Sequence, residues 1–380
     1  MQKENSNTNK IDTKNEPEIK RLKLPKICYI LYLCAAVSLI IYIIAMNSAA
    51  FADFFSRRIS SIFRAILAYC TNLIPFSLAE SLLLFLPVAA VVIIIYAIRT
   101  HADSWHNSFV FIGKLFCFIC VLFTLFVTTF GTGYYTTPLA DRLSLNRQDI
   151  SADDLEFTAA YLISKMNEES DKFYYDKNGS SVMPYSYYEL SEKLVVAYDK
   201  ICDEYNFIQR LSSYVKPVAM SVPMSYTHIT GVYTYFTGEA NINVDFPDYT
   251  IPFTAAHEMA HQRGIAREDE ANFVAFLVCI ASDDPYIRYS GYLNMYEYLA
   301  SPLKTADSIA YSIETSKIDV KIIGEMIAYN NFFEKYEKST ASVISGKIND
   351  TYLQSQGTPG SVSYGMVVEL AVAYIKELPQ

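Results

Sequence analysis

His257, Glu258 and His261 form an H-E-x-x-H run, read as HEMAH. Positions four apart share one face of a helix, so both imidazoles can reach a single divalent ion. The glutamate between them then lies where it can accept a proton from a water beside that ion. This is the chemistry of a zinc hydrolase: Zn2+ polarises a carbonyl and acidifies water, and the carboxylate acts as general base. A catalytic zinc takes three protein ligands and leaves one position open, so a third donor must come from a downstream element. Glu268 is the expected source, in the run Glu268-Asp269-Glu270-Ala271-Asn272, with Glu270 as the alternative. A helix beginning near Ala266 sets Glu268 and Asn272 on one face, where Asn272 can hydrogen-bond a ligand histidine. The plain alternative is that these acids do no more than stabilise a helix N-terminus. The neighbours Ala255, Ala256, Met259 and Ala260 are small or apolar and imply a buried helix, in which an unpaired His or Glu is costly.

Four further residues are candidates for contact with substrate. His228 could donate a hydrogen bond near the ion, although a lone histidine is more often structural. Glu239 and Asn241 fall in an expected hairpin just before the motif helix, where turn chemistry is the plain alternative. Tyr364, in the stretch SVSYG, could donate to a developing oxyanion. With 31 tyrosines in the chain, packing is its more ordinary role.

The elements that must position these residues come in two halves. The chain has 380 residues, is 52% hydrophobic and carries a net charge of −9. The acidic balance, with no sizeable basic face, argues against nucleic acid as a partner. Residues 1–24 are polar and without apolar period, as in a disordered cytoplasmic tail. Residues 25–130 then hold three apolar runs, near 27–46, 78–98 and 109–130, each close to the ~20 residues needed to cross a bilayer as a helix. The segment 50–76 mixes Phe and Ile with Arg57, Arg58 and Arg64, and is expected to lie amphipathically on the membrane surface. Lys20, Arg21, Lys23 and Lys26 before the first run, with Arg99 and Lys114 between the second and third, place those ends in the cytoplasm and residues 131–380 outside it. Arg57, Arg58 and Arg64 then face outward, against that rule. Ala50-Phe51-Ala52 resembles a cleavage site, but the first run is longer than a signal core, which favours an uncleaved anchor. Five of the seven cysteines lie in or near the apolar runs, where Cys117 and Cys120 read as packing residues; a Cys202–Cys279 disulfide has no support in the sequence.

Residues 131–380 read as a mostly helical domain with a small antiparallel β element, making the whole chain mainly α (α+β). Ser151 and Asp154 open a helix through Met166 in the capping-box pattern. Further helices are expected at 187–205, 252–263, 267–282, 285–310, 318–346 and 361–377. Val232–Phe236 and Asn241–Phe246 alternate and flank Thr237-Gly238-Glu239-Ala240, as in a hairpin. Pro252 suits the first turn of the motif helix and Gly264 its C-terminal cap.

H-E-x-x-H followed by a helical glutamate resembles the gluzincin metallopeptidases, the thermolysin type and integral-membrane zincins among them. In those families the glutamate is a zinc ligand and an Asp four residues on supports a histidine; here Glu268 matches and Asn272 replaces the Asp. The gap between His261 and Glu268 is shorter than in that pattern. The metzincin alternative fails because its third ligand falls at Arg267. FTGEAN, HEMAHQRG, EDEANF and SVSYG together resemble a family of bacterial membrane proteins of unassigned function that joins N-terminal spans to such a domain. The resemblance implies a membrane-anchored, zincin-like zinc metallopeptidase of the bacterial cytoplasmic membrane. Its partners are then the lipid bilayer and a peptide or protein substrate at the cell envelope. The alternative function is a zinc-binding, non-catalytic sensor or interaction module tethered to the membrane.

Overall fold

The computed structural model describes residues 21–146, 150–360 and 366–378. The expected tail lies almost wholly outside them, as does Tyr364. Helix α1 (Lys26–Asn47) runs into α2 (Ala49–Phe54), a π-helical turn (Phe55–Ser60) and α3 (Ser61–Asn72). Helices α4 (Leu78–His101) and α5 (Trp105–Thr129) follow. α1, α4 and α5 are each long and apolar enough to cross a membrane. Their starts are set by composition and capping. Ser77 and Ser104 accept hydrogen bonds from the backbone N–H groups of Glu80 and Asn107, stopping loops and beginning helices. α1 and α5 run side by side in the same direction: Tyr32 donates to the Gly113 carbonyl at 2.7 Å, and Tyr42 packs on Phe123 and Phe126. Leu83, Phe85, Val92 and Ile98 of α4 are exposed, which in water would be untenable and which associates this region with a membrane.

The remainder is mostly helical. α6 (Leu139–Leu143), α7 (Ala152–Ser170) and α8 (Tyr187–Glu204) precede β1 (Lys216–Pro217), α9 (Ser221–Ser225), β2 (Gly231–Thr234) and β3 (Glu239–Ile242). The chain closes with α10 (Thr250–Gln262), α11 (Glu268–Ala281), α12 (Pro285–Ala306), α13 (Ser308–Thr315), α14 (Val320–Phe333), α15 (Thr340–Ser355) and α16 (Val367–Glu377). The capping box at Ser151 and Asp154 is formed, and Ser186 with Glu189 makes a second one at the start of α8. α7, α8, α10, α11 and α12 share one core, in which Leu162, Met166, Leu194, Phe273, Phe276 and Leu293 are buried. Two expected long helices are each broken in two by a side-chain cap. Asp307 accepts from Ile309 and Ala310 and starts α13, and Ser339 accepts from Ala341 and starts α15.

The β element is mixed rather than purely antiparallel. β3 is central, antiparallel to β2 (Val232 opposite Asn241) and parallel to β1 (Lys216 opposite Asn241). Both hairpin strands are shorter and end sooner than the alternation implied. The turn closes at Thr234, which accepts at its carbonyl from the N–H groups of Thr237 and Gly238. Gly238 has φ +71° and lies against α3, where a Cβ would come within 2.7 Å of the Leu67 Cβ.

Two of the three arginines that stand against the charge rule, Arg57 and Arg64, meet residues of the domain. Arg64 is 2% exposed. Its guanidinium donates to the carbonyls of Thr129 and Ser56 and to Gln209 Oε1. Arg57 lies over the Phe207 ring. By its hydrogen bonds Arg64 is fixed in the seam between the apolar helices and the domain. Cys202 and Cys279 are buried free thiols.

Candidate metal centre

Helix α10 carries the motif through the interior: of its thirteen residues only His257 is other than buried. Tyr198 donates to the Ala256 carbonyl at 2.6 Å and pins the helix at mid-length. The chain then reverses in five residues. Gly264 sits at φ +95°, in the left-handed region that ends helices without steric cost to glycine. Arg267 donates to the carbonyls of Tyr134 and Thr136 and fixes the start of the next helix. Glu268 is thus the first residue of α11, aimed back at α10. The left-handed turn is why so short a gap brings this carboxylate back to the histidines.

The three expected ligands converge. Glu268 Oε2 is 3.3 Å from His257 Nε2 and 3.5 Å from His261 Nε2, and one donor atom from each residue lies within 4.8 Å of the others. Donors at ~2.0–2.1 Å from one tetrahedral zinc stand about 3.3–3.4 Å apart, so the spacing fits such an ion. His261 Nδ1 is 2.7 Å from the Ile265 carbonyl, which accepts its proton and leaves the Nε2 lone pair pointing at the site. The supporting hydrogen bond expected from Asn272 is not formed. Asn272 is buried beside the site, but its Nδ2 and the His257 Nδ1 have no hydrogen-bond partner among the described residues. The donor set fits zinc better than a hard cation, for which oxygen ligands would predominate.

Electrostatics couples the same groups. Burial acts to lower the His261 pKa, but the Glu268 and Glu258 carboxylates and the Ile265 carbonyl outweigh it and raise it to about 9. Burial acts to raise Glu268, yet the two imidazoles hold it well below the usual carboxylate range. Glu258 moves the other way: burial raises its pKa, and His257 and His261 only partly oppose this. Glu258 is 4% exposed, accepts a backbone hydrogen bond from Tyr233, and keeps Oε2 without a partner among the described residues. A buried carboxylate oxygen left free beside three converging donors is expensive unless it is used.

The donors open into a cleft of about 820 Å³. Thr230, Gly231, Val232 and Tyr233 form one wall, so the unpaired edge of β2 faces the cavity. Gly231 is required there: a Cβ would lie 2.6 Å from Glu258 Oε1. α12 and α15 supply the opposite wall, and Phe130 and Tyr134, which follow α5, close the inner end. The Phe130 ring is 5.7 Å from that of His261.

The other expected site residues fall in different places. Glu270 turns away from the donors, accepting from the Leu139 N–H and pairing with Arg267. Glu239 and Asn241 sit on the central strand. Glu239 caps α4 by accepting from the N–H groups of Leu78 and Ala79, and Asn241 donates to the Val232 carbonyl. The edge strand bordering the cleft is β2 instead, because β1 and β2 flank β3 on either side. His228 lines the cleft in a left-handed conformation (φ 60°), with its Nε2 2.8 Å from the Tyr336 carbonyl and its ring packed on Phe333. Tyr134, Tyr298 and Tyr352 also line the cleft, and Glu268 lies close enough to Tyr298 and Tyr352 to raise both phenols beyond what burial does. Nothing in their local sequence marks them among so many tyrosines.

Comparison with known proteins adds one family. The model of a family described as a protein of unknown function, DUF3810, matches residues 55–372. No curated protein matches the chain, and no solved structure matches it.

Proposed function

We propose, for a chain that belongs to the DUF3810 family and inherits no assigned activity from it, that the protein is a membrane-anchored zinc-dependent peptidase of gluzincin type. The observation that carries this reading is the buried Oε2 of Glu258, without a partner among the described residues, beside the point where His257, His261 and Glu268 converge. Those three residues would hold the ion. Bound there, zinc supplies a Lewis acid and makes a water molecule acidic near neutral pH. Glu258 accepts the proton of the attacking water at Oε2, its burial keeping the carboxylate basic enough to do so, and hands that proton to the leaving amine. The edge of β2 offers main-chain N–H and C=O groups to an extended peptide, which lays the scissile bond across the donors. Tyr298 and Tyr352 are the phenols placed to donate to a developing oxyanion. The three apolar helices serve as spans of a multi-pass protein of the bacterial cytoplasmic membrane, with residues 131–380 on the outer side. The partners in this reading are the bilayer and a peptide or protein substrate.

Glu258→Gln tests it. Hydrolysis of a randomised peptide library, followed by mass spectrometry on the full chain in detergent, should disappear while zinc content stays unchanged. A wild-type protein that binds zinc yet cleaves nothing in the library leaves the non-catalytic zinc module instead.

A further inference from the structure

The cleft is held at a fixed and small height above the ends of the three apolar helices. α1 and α5 run in parallel with Tyr32 level with Gly113, so Asn47 and Thr129 end at about one level, and α4, antiparallel to α5, begins on the same side. Met46 is still exposed there, so the apolar surface reaches that level. Phe130, the next residue after α5, already packs on the ring of His261.

Four contacts prevent the domain from swinging away. Glu239 of the central strand holds the first two N–H groups of α4. Glu80 of α4 accepts from the N–H groups of Ala219 and Met220. Arg64 joins the π-turn, the end of α5 and Gln209. On the far wall, Tyr42 of α1 donates to Gln356, just after α15, at 2.6 Å. α3 and the residue that follows it expose Ile62, Phe63, Ile66, Tyr69 and Leu73 along one stripe, an apolar face suited to lying in the headgroup region. The β2–β3 turn rests directly on that helix at Gly238.

We infer that the substrate is a polypeptide anchored in the same membrane, cut within a few residues of the bilayer surface. The inference rests on the peptidase reading above and narrows its substrate. One helical residue rises ~1.5 Å, so Phe130 stands only a step beyond the apolar level. An extended substrate climbs about 3.3 Å per residue, so a few residues beyond its own anchor bring a peptide bond to the donors.

The test uses the full chain in liposomes and the same randomised hexapeptide library attached to a dialkyl lipid through Gly/Ser spacers of about 4, 12 and 24 residues, with a lipid-free library alongside. Mass spectrometry of the released peptides gives the rate for each spacer. The expected result is fastest cleavage behind the shortest spacer, falling about tenfold by the longest as effective concentration drops. A shortest-spacer library left intact while longer ones are cut overturns the inference, because the site would then stand well above the surface. So does a lipid-free library cut as fast as the short-spacer one; in both cases the peptidase reading survives. No cleavage of any library overturns both together.

Discussion

Gly231→Ala should inactivate the site without emptying it. The glycine lies on the strand that faces the motif helix, and an added Cβ would stand 2.6 Å from Glu258 Oε1, 2.7 Å from Cγ and 2.9 Å from Cδ. Ordinary contacts of this kind are roughly 3.5 Å, so the carboxylate must retreat by about 0.9 Å. It has little room, being buried and bonded to the backbone of Tyr233 on the same strand. A catalytic group displaced by about 1 Å loses on the order of a hundredfold in rate, or about 2.7 kcal/mol of transition-state stabilisation. The three atoms nearest the added methyl all belong to Glu258 and none to His257, His261 or Glu268, so the metal should remain. The assay measures library hydrolysis and zinc content on the same preparation. Wild-type turnover with the metal retained would refute the placement of Glu258 as the base.

Two further outcomes follow from the same geometry. Glu297, on the wall of the cleft, has its pKa raised to about 7 by burial and the nearby Glu325 carboxylate, against the lowering effect of the Tyr249 hydroxyl. The folded state therefore holds this proton more tightly than the unfolded chain, so the stability it contributes is present at low pH and fades as pH rises from about 4.5 to about 7. The loss is on the order of 1–3 kcal/mol, and Glu297→Gln should flatten thermal-melt midpoints across that window; an unchanged slope would remove the assignment. Glu239→Ala should lower the melting midpoint by a few degrees, reflecting about 1–2 kcal/mol lost at the start of α4, while activity per folded molecule holds. A selective loss of activity at unchanged stability would return Glu239 to the substrate site.

What could be read from the sequence was what local spacing encodes. The i, i+4 histidines, the helix stop at Gly264 and the acid beginning the next helix lie within a dozen residues, and their backbone geometry follows from residue type alone. The three apolar helices were equally legible, since length and composition suffice. What was missed depends on distant chain segments meeting. Phe130, Tyr298 and Tyr352 reach the cleft from three separate helical regions. The group that orients His261 is a backbone carbonyl, which no side-chain pattern announces. Glu239 and Asn241 lie on the central strand rather than at the cleft because β1, two residues long with a proline and without alternation, pairs with β3 and leaves β2 as the edge.

Metal content tests the central claim most directly. Purified full chain, equilibrated with zinc and desalted, should carry about one ion per molecule by elemental mass spectrometry. His257→Ala, His261→Ala and Glu268→Ala should each lose most of it, whereas Glu270→Gln should retain it because that carboxylate is committed to Leu139 and Arg267. Zinc at background in the wild type, or undiminished when all three donors are replaced together, would contradict the account.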